Sequence, residues 1–85
     1  MSYCLYILHA VSYDRYYIGS SQNPEIRLTY HNLIERGFTS QYRPWKLIYV
    51  KEFPDKKTAL QVERKIKSWK SKKMIEKLLR GEVSL

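Results

Sequence analysis

Asn23-Pro24-Glu25 is the stretch of this chain that leaves the fewest conformations open. Proline lacks a backbone donor and clashes with the preceding turn inside a helix, yet at the first helical position its fixed φ is already right. Asn23 is a good N-cap, Glu25 complements the helix dipole, and Gly37 stands where a helix stops, so "NPEIRLTYHNLIERG" reads as one helix. What precedes it must fold in another way. "YCLYILHA" and "RYYIGS" are dense in side chains that suit a half-buried pleated surface. A loop of about five residues around "VSYD" joins them as an antiparallel hairpin.

The first helix has the apolar stripe Ile26, Tyr30, Leu33 and Ile34, which is the expected core face. Arg27 and His31 fall about 40° apart on its wheel, beside that stripe. "FTSQYRP" is loop, because Pro44 disfavours helix before it. "WKLIYVKEF" is a third strand, with Trp45, Leu47, Tyr49 and Lys51 expected on one face. Asp55 caps "KKTALQVERKIKSWK", whose stripe is Ala59, Val62, Ile66 and Trp69. Ser71 starts a last helix, "SKKMIEKLLRG", with Met74, Ile75, Leu78 and Leu79 inward and Gly81 as its stop. The order β-β-α-β-α-α is that of an α+β domain with helices on a small antiparallel sheet.

A chain of 85 residues has room for one core, so residues 1–85 are read as a single domain. No repeat, low-complexity segment or Pro/Gly/Ser-rich linker interrupts it. Cys4 is the only cysteine, which excludes an intramolecular disulfide and cysteine-ligated metal and points to a reducing, cytoplasmic setting. No apolar run approaches the ~18 residues that span a bilayer, so no membrane association is expected. Net charge is +8 and uneven. Residues 1–50 carry five basic and three acidic side chains, whereas residues 51–80 carry eleven and four. Such a field recruits polyanions, of which nucleic acid is the commonest in a cell, although a solvated helix face has the same composition.

Neither a Gly-rich phosphate loop, a Ser/His/Asp set nor a His/Cys cluster is present. The chemistry-bearing residues that remain are Tyr6, Tyr16, Tyr17, Arg27, His31 and Glu63. They suit phosphodiester hydrolysis, which needs a group to deprotonate water, cationic donors for developing charge, and a metal at the leaving oxygen. Each also has a plain structural reading. Glu63 and Lys67 form a favourable i,i+4 pair, Arg27 and His31 suit an exposed helix flank, and strand tyrosines pack. Gly19 serves either as a strand-end residue or as a place of close backbone approach. Trp45, Trp69 and Met74 are assigned to the core, and Tyr16 to packing.

The order of these residues is itself informative. "CLY" at 4–6, "YIG" at 17–19, Arg27 and His31 at i,i+4, and Glu63 on a later helix resemble the GIY-YIG endonuclease superfamily. "HN" at 31–32, "RPWKLIY" at 43–49 and "ERKIK" at 63–67 extend the resemblance to its small, stand-alone bacterial members. The resemblance implies a three-stranded antiparallel sheet flanked by helices and a metal-dependent endonuclease that hydrolyses DNA phosphodiester bonds with little intrinsic sequence specificity. It makes Tyr6 the general base or its close neighbour, and gives Tyr17 the positioning of water or phosphate. Arg27 stabilises the pentavalent transition state, and His31 stands where the family has His or Tyr. Glu63 matches the carboxylate that binds one divalent ion, Mg²⁺ or Mn²⁺, leaving most of its shell to water and phosphate. No asparagine follows Asn32, where several longer members use one, so Lys67, Lys70, Lys72 and Lys73 are the candidate phosphate contacts. The expected partner is DNA, branched or nicked. The alternative is a noncatalytic nucleic-acid-binding module that retains the fold.

Overall fold

The structure, a computed structural model, describes residues 2–34, 37 and 39–84. Two strands, β1 (Tyr3–Ala10) and β2 (Arg15–Ser21), form the hairpin, and α1 (Pro24–Leu33) follows. A short 3-10 turn at Thr39–Tyr42 leads into β3 (Trp45–Phe53), then α2 (Lys56–Ser68) and α3 (Lys72–Leu79). The three strands make one antiparallel sheet in the order β2-β1-β3, so β1 is central and β2 is an edge. The α+β architecture and its element order are those read from the sequence. Each helix starts at the expected cap: Asn23 accepts from the Ile26 N–H, Asp55 from Thr58, and Ser71 from Met74. Among the described residues no helix is long and apolar enough to cross a membrane.

The central strand is buried on both faces because helices cover both. On one face Leu5, Ile7 and Ile18 meet Ile66 of α2 and Leu78 of α3, with Val62, Trp69, Ile75 and Leu79 packed around them. Met74 of α3 is half-buried. On the other face Tyr6, Leu8, Ala10 and Trp45 form a second cluster, joined by Tyr17, Leu47 and Leu28 of α1. The alternation of β1 thus feeds two cores, since successive side chains point to opposite faces.

Three expectations are corrected. Trp45, Leu47, Tyr49 and Lys51 do not share a face. Ile7 pairs with Tyr49 but Leu8 pairs with Leu47, so Ile48 is an extra residue in β3. Such a bulge reverses the alternation: Trp45 and Leu47 join the α1 side, while Ile48, Tyr49 and Phe53 pack against the α2 side. The second correction concerns α1, whose apolar stripe faces outward. Ile26, Leu33 and Ile34 are 65%, 73% and 61% exposed, while His31 is 1% exposed. Helix α1 is seated by hydrogen bonds instead. The Asn32 amide accepts from the Trp45 N–H at 2.6 Å and donates to the Trp45 carbonyl at 3.0 Å, completing both backbone groups at the head of β3. The Arg43 Nε–H donates to the His31 carbonyl at 2.7 Å. These bonds turn the Arg27–Leu28–His31 flank toward the sheet and leave the stripe to solvent. Third, α1 ends at Leu33 with Ile34 as its cap, earlier than the helix read to Arg36. Glu35 and Arg36 of that helix, and Phe38 of the following loop, lie outside the described residues.

Candidate active site

Tyr6 stands on the central strand facing α1, and it is 1% exposed. Its cross-strand partner on β2 is Gly19. A Cβ built on Gly19 would lie 2.6 Å from both Cζ and Oη of Tyr6, well inside contact distance. The missing side chain therefore lets the phenol lie flat across β2 and carries its hydroxyl toward the sheet edge. Of the two uses read for Gly19, close approach is the one realised, and what approaches is Tyr6.

Once there, the hydroxyl is fully engaged. Oη is 3.1 Å from His31 Nε2 and accepts a hydrogen bond from the Arg27 guanidinium. A phenol has one proton to donate, and Arg27 only donates, so the proton of Tyr6 is available to His31. Burial pushes the Tyr6 pKa above its ordinary value, the Arg27 hydrogen bond opposes this, and the negative charge of Glu63 raises it further. The Tyr17 ring lies on the same face, with its centroid 4.6 Å from that of His31 and 6.4 Å from that of Tyr6. The Arg27 guanidinium also sits 4.5 Å over the Tyr30 ring, which restricts its swing.

Glu63 approaches from the other side of the sheet. It lies on α2, and its carboxylate accepts from Ser20 Oγ at 2.6 Å and from Lys67 Nζ at 2.8 Å. The pair with Lys67 is the one read from spacing, but Glu63 is only 17% exposed and reaches the β2 edge, so it is more than a surface pair. The Lys67 ammonium also stands 5.9 Å from the Tyr17 ring centroid. The group thus wraps around the edge strand. Tyr6, Tyr17, Arg27 and His31 lie on one side, Glu63 and Ser20 on the other, and Lys67 spans the two. The five residues to which the resemblance gives roles all lie around this edge, although Glu63 makes no direct hydrogen bond to the other four among the contacts described.

Ser20 was missed by sequence reasoning. Its signal was available in the strand period, because Ser20 follows Ile18 by two and so shares the α2 face. Of the other candidate lysines, Lys72 pairs with Asp14, while Lys70 and Lys73 are exposed. Tyr16 packs against the α2-side cluster and stacks on His9, with ring centroids 4.7 Å apart.

Among the described residues no three His, Cys, Asp or Glu side chains gather into a metal cluster. Glu63 is a single hard oxygen donor. The ammonium of Lys67 rests on the carboxylate oxygen that a cation would take, so the position already attracts positive charge. A single carboxylate of this kind fits one weakly held divalent ion that keeps most of its water.

Comparison with known proteins places the chain in a family. The chain is similar to the structure-specific endonuclease subunit SLX1 of Phaeosphaeria nodorum, 40% identical over 67 residues that cover 72% of this chain and 18% of that protein. Similarity to SLX1 of Debaryomyces hansenii is 41% over 69 residues, covering 72% and 20%. The chain therefore spans about a fifth of the length of the curated relatives it matches. In three dimensions it resembles the solution structure of the UPF0213 protein BH0048 from Bacillus halodurans, with a TM-score of 0.60 and 25% identity. That likeness covers 94% of this chain and 84% of the other. Residues 2–77 match the model of the GIY-YIG catalytic domain, and with the paired tyrosines, Gly19, Arg27, His31 and Glu63 in place, the chain belongs to the GIY-YIG family.

Proposed function

We propose that residues 1–85 act as one nuclease domain that hydrolyses phosphodiester bonds in DNA with little sequence preference of its own. The observation that carries this reading is the buried pair of Tyr6 and His31, hydrogen-bonded to each other with half-buried Arg27 bonded to the Tyr6 hydroxyl and Tyr17 alongside, at the strand edge where Gly19 leaves room for the phenol. Polar groups buried this deeply are costly unless they are paired, and here their pairing leaves a proton path. A structure-specific endonuclease activity in the SLX1 relatives makes branched or nicked DNA the first substrate to test.

In this reading Tyr6 is the residue beside the attacking water. Its raised pKa argues against a standing phenolate at neutral pH. Tyr6 instead takes a proton from water as it passes its own to His31 Nε2, so the phenol relays and His31 is the acceptor. Arg27 has parallel N–H donors for the phosphoryl oxygens, whose charge grows as the new P–O bond forms and the old one breaks. Tyr17 holds the His31 ring and borders the space where water or phosphate rests. Glu63, steadied by the Ser20 hydroxyl, is the residue that would hold the divalent ion. When bound, Mg²⁺ or Mn²⁺ supplies positive charge at the leaving oxygen. With Glu63 so engaged, the Lys67 ammonium would be free to meet phosphate together with Lys70, Lys72 and Lys73.

The single buried thiol, Cys4, has its pKa raised by burial and by Glu52, in keeping with an inert cysteine. The alternative is a noncatalytic nucleic-acid-binding module that retains the fold. The test separates the two. Nicked, flapped and branched DNA are incubated with Mg²⁺ or Mn²⁺, and cleavage is expected to vanish with chelator and with Glu63→Ala while binding persists. Salt-dependent binding without metal-dependent turnover on any substrate would establish the binding module instead.

A further inference from the structure

Helix α2 presents two faces of opposite composition. Ala59, Val62 and Ile66 turn to the sheet, while Lys57, Gln61, Arg64 and Ser68 recur at i, i+4, i+7 and i+11 on the other side. All four are exposed, and the row they form runs about 16 Å along the helix. Lys65, also exposed, flanks it. The helix has five basic side chains and one acid, Glu63, and that acid is turned to Ser20 and Lys67. Asp55, the acid nearest Lys57 in sequence, caps the helix through the Thr58 N–H. Among the described residues Lys57, Arg64 and Lys65 make no ion pair.

We propose that this row is a second DNA contact, which takes the backbone of one duplex arm while another arm of the same DNA lies at the candidate active site. The proposal rests on the nuclease reading for the place of that other arm. Three observations lead to it. First, a helix face that is merely solvated mixes both signs of charge in i,i+4 pairs, whereas this one carries a single sign, whose self-repulsion a polyanion relieves. Second, the row holds no apolar side chain, which disfavours a membrane surface or a hydrophobic protein interface. Lysine, arginine, glutamine and serine are all side chains that contact phosphate oxygens. Third, the row and the group around Tyr6 belong to opposite sides of the sheet, because α2 and α1 cover opposite faces, and Glu63 lies between them at the β2 edge. One straight duplex cannot lie against both sides. Bending a continuous duplex round the edge is costly, but a nick, gap or junction supplies the bend. The second contact therefore selects DNA whose arms meet at an angle, whatever its base sequence.

The test compares a continuous duplex with the same duplex interrupted by a short gap, each titrated against the full chain in chelator at several salt concentrations. The wild type is expected to bind the gapped form at least about tenfold more tightly, with a salt slope steeper by about two to three phosphate contacts. In the triple variant Lys57→Gln with Arg64→Gln and Lys65→Gln, the preference falls to within about twofold and the two slopes coincide. Thermal stability stays unchanged, since the three side chains are exposed and glutamine forms helix as well as they do. Equal wild-type affinity for the two DNAs, or a preference and slope that survive the triple variant, would overturn the proposal; the second outcome would leave the row to an acidic partner other than DNA. Cleavage is scored separately with Mg²⁺. The triple variant keeps Tyr6, Tyr17, Arg27, His31 and Glu63, so at saturating DNA it is expected to cut at the wild-type rate. Cleavage without preference for the gapped form rejects the second contact alone, and preference without cleavage rejects the nuclease reading alone.

Discussion

The two faces of the sheet are built on opposite principles. On the α2–α3 side, apolar stripes at helical spacing turn inward, and Leu5, Ile7, Ile18, Ile66 and Leu78 close a dry core. On the α1 side, the helix keeps Ile26, Leu33 and Ile34 in solvent and turns His31, Arg27 and Asn32 toward the strands. Hydrophobic burial alone would rotate α1 the other way. The hydrogen bonds to Tyr6 and to the Trp45 backbone outweigh it, because buried polar groups left unpaired cost more than an exposed apolar side chain. One face supplies stability and the other gives up part of it to hold polar groups in place, as expected where local rules yield to function.

If that contrast is right, single substitutions should separate rate from stability. Tyr6→Phe keeps the ring and removes the relay, and is expected to lower kcat by about 10²–10⁴ on any cleaved DNA. It also leaves His31 and Arg27 short of a partner, at a stability cost of about 1–3 kcal/mol. Leu78→Ala, on the other face, removes a side chain that is 4% exposed and should cost about 2–5 kcal/mol. The folded Leu78→Ala protein should retain its turnover per molecule. Urea unfolding alongside single-turnover cleavage measures both, and a large rate loss in Leu78→Ala would dissolve the distinction between the faces.

Gly19→Ala probes the seam between them. The added methyl meets Cζ and Oη of Tyr6 at 2.6 Å, and neither a ring carbon nor the backbone of β2 yields easily. The ring must tilt, moving the hydroxyl away from His31. A displacement of about 1 Å costs roughly 10²-fold in rate, with a stability loss of about 1–3 kcal/mol from overpacking. Wild-type turnover in Gly19→Ala would mean that the position of the Tyr6 hydroxyl is not critical.

Legibility from sequence follows the same division. The α2–α3 side could be read almost completely, since Asp55 and Ser71 are caps and Ala59, Val62, Ile66, Ile75 and Leu78 follow the period of a helix on a core. Tyr6, Tyr17, Arg27, His31 and Glu63 could be singled out as candidates from their order along the chain, but their arrangement could not be read. Periodicity counts apolar side chains, and it chose the wrong face of α1, because the bonds that orient this helix join residues 12–25 positions apart. The extra residue at Ile48 is equally invisible in β3 alone, since a bulge exists only relative to the partner strand. Gly19 was open to two readings and Ser20 was missed, and their roles appear only when Tyr6 and Glu63 come to rest beside them.

The gentlest test bears on the outward stripe itself. Leu33 is 73% exposed near the end of α1, and glutamine forms helix about as well as leucine. Leu33→Gln should therefore change stability by no more than about 0.5 kcal/mol, or less than about 4 °C in Tm. Were the stripe a core face, as its spacing suggests, the same change would bury an amide among apolar neighbours and cost several times as much. A thermal melt resolves the two outcomes. A near-silent Leu33→Gln beside a severe Leu78→Ala would place the stability of this protein on the α2–α3 face and leave the orientation of α1 to Asn32, His31 and Arg43.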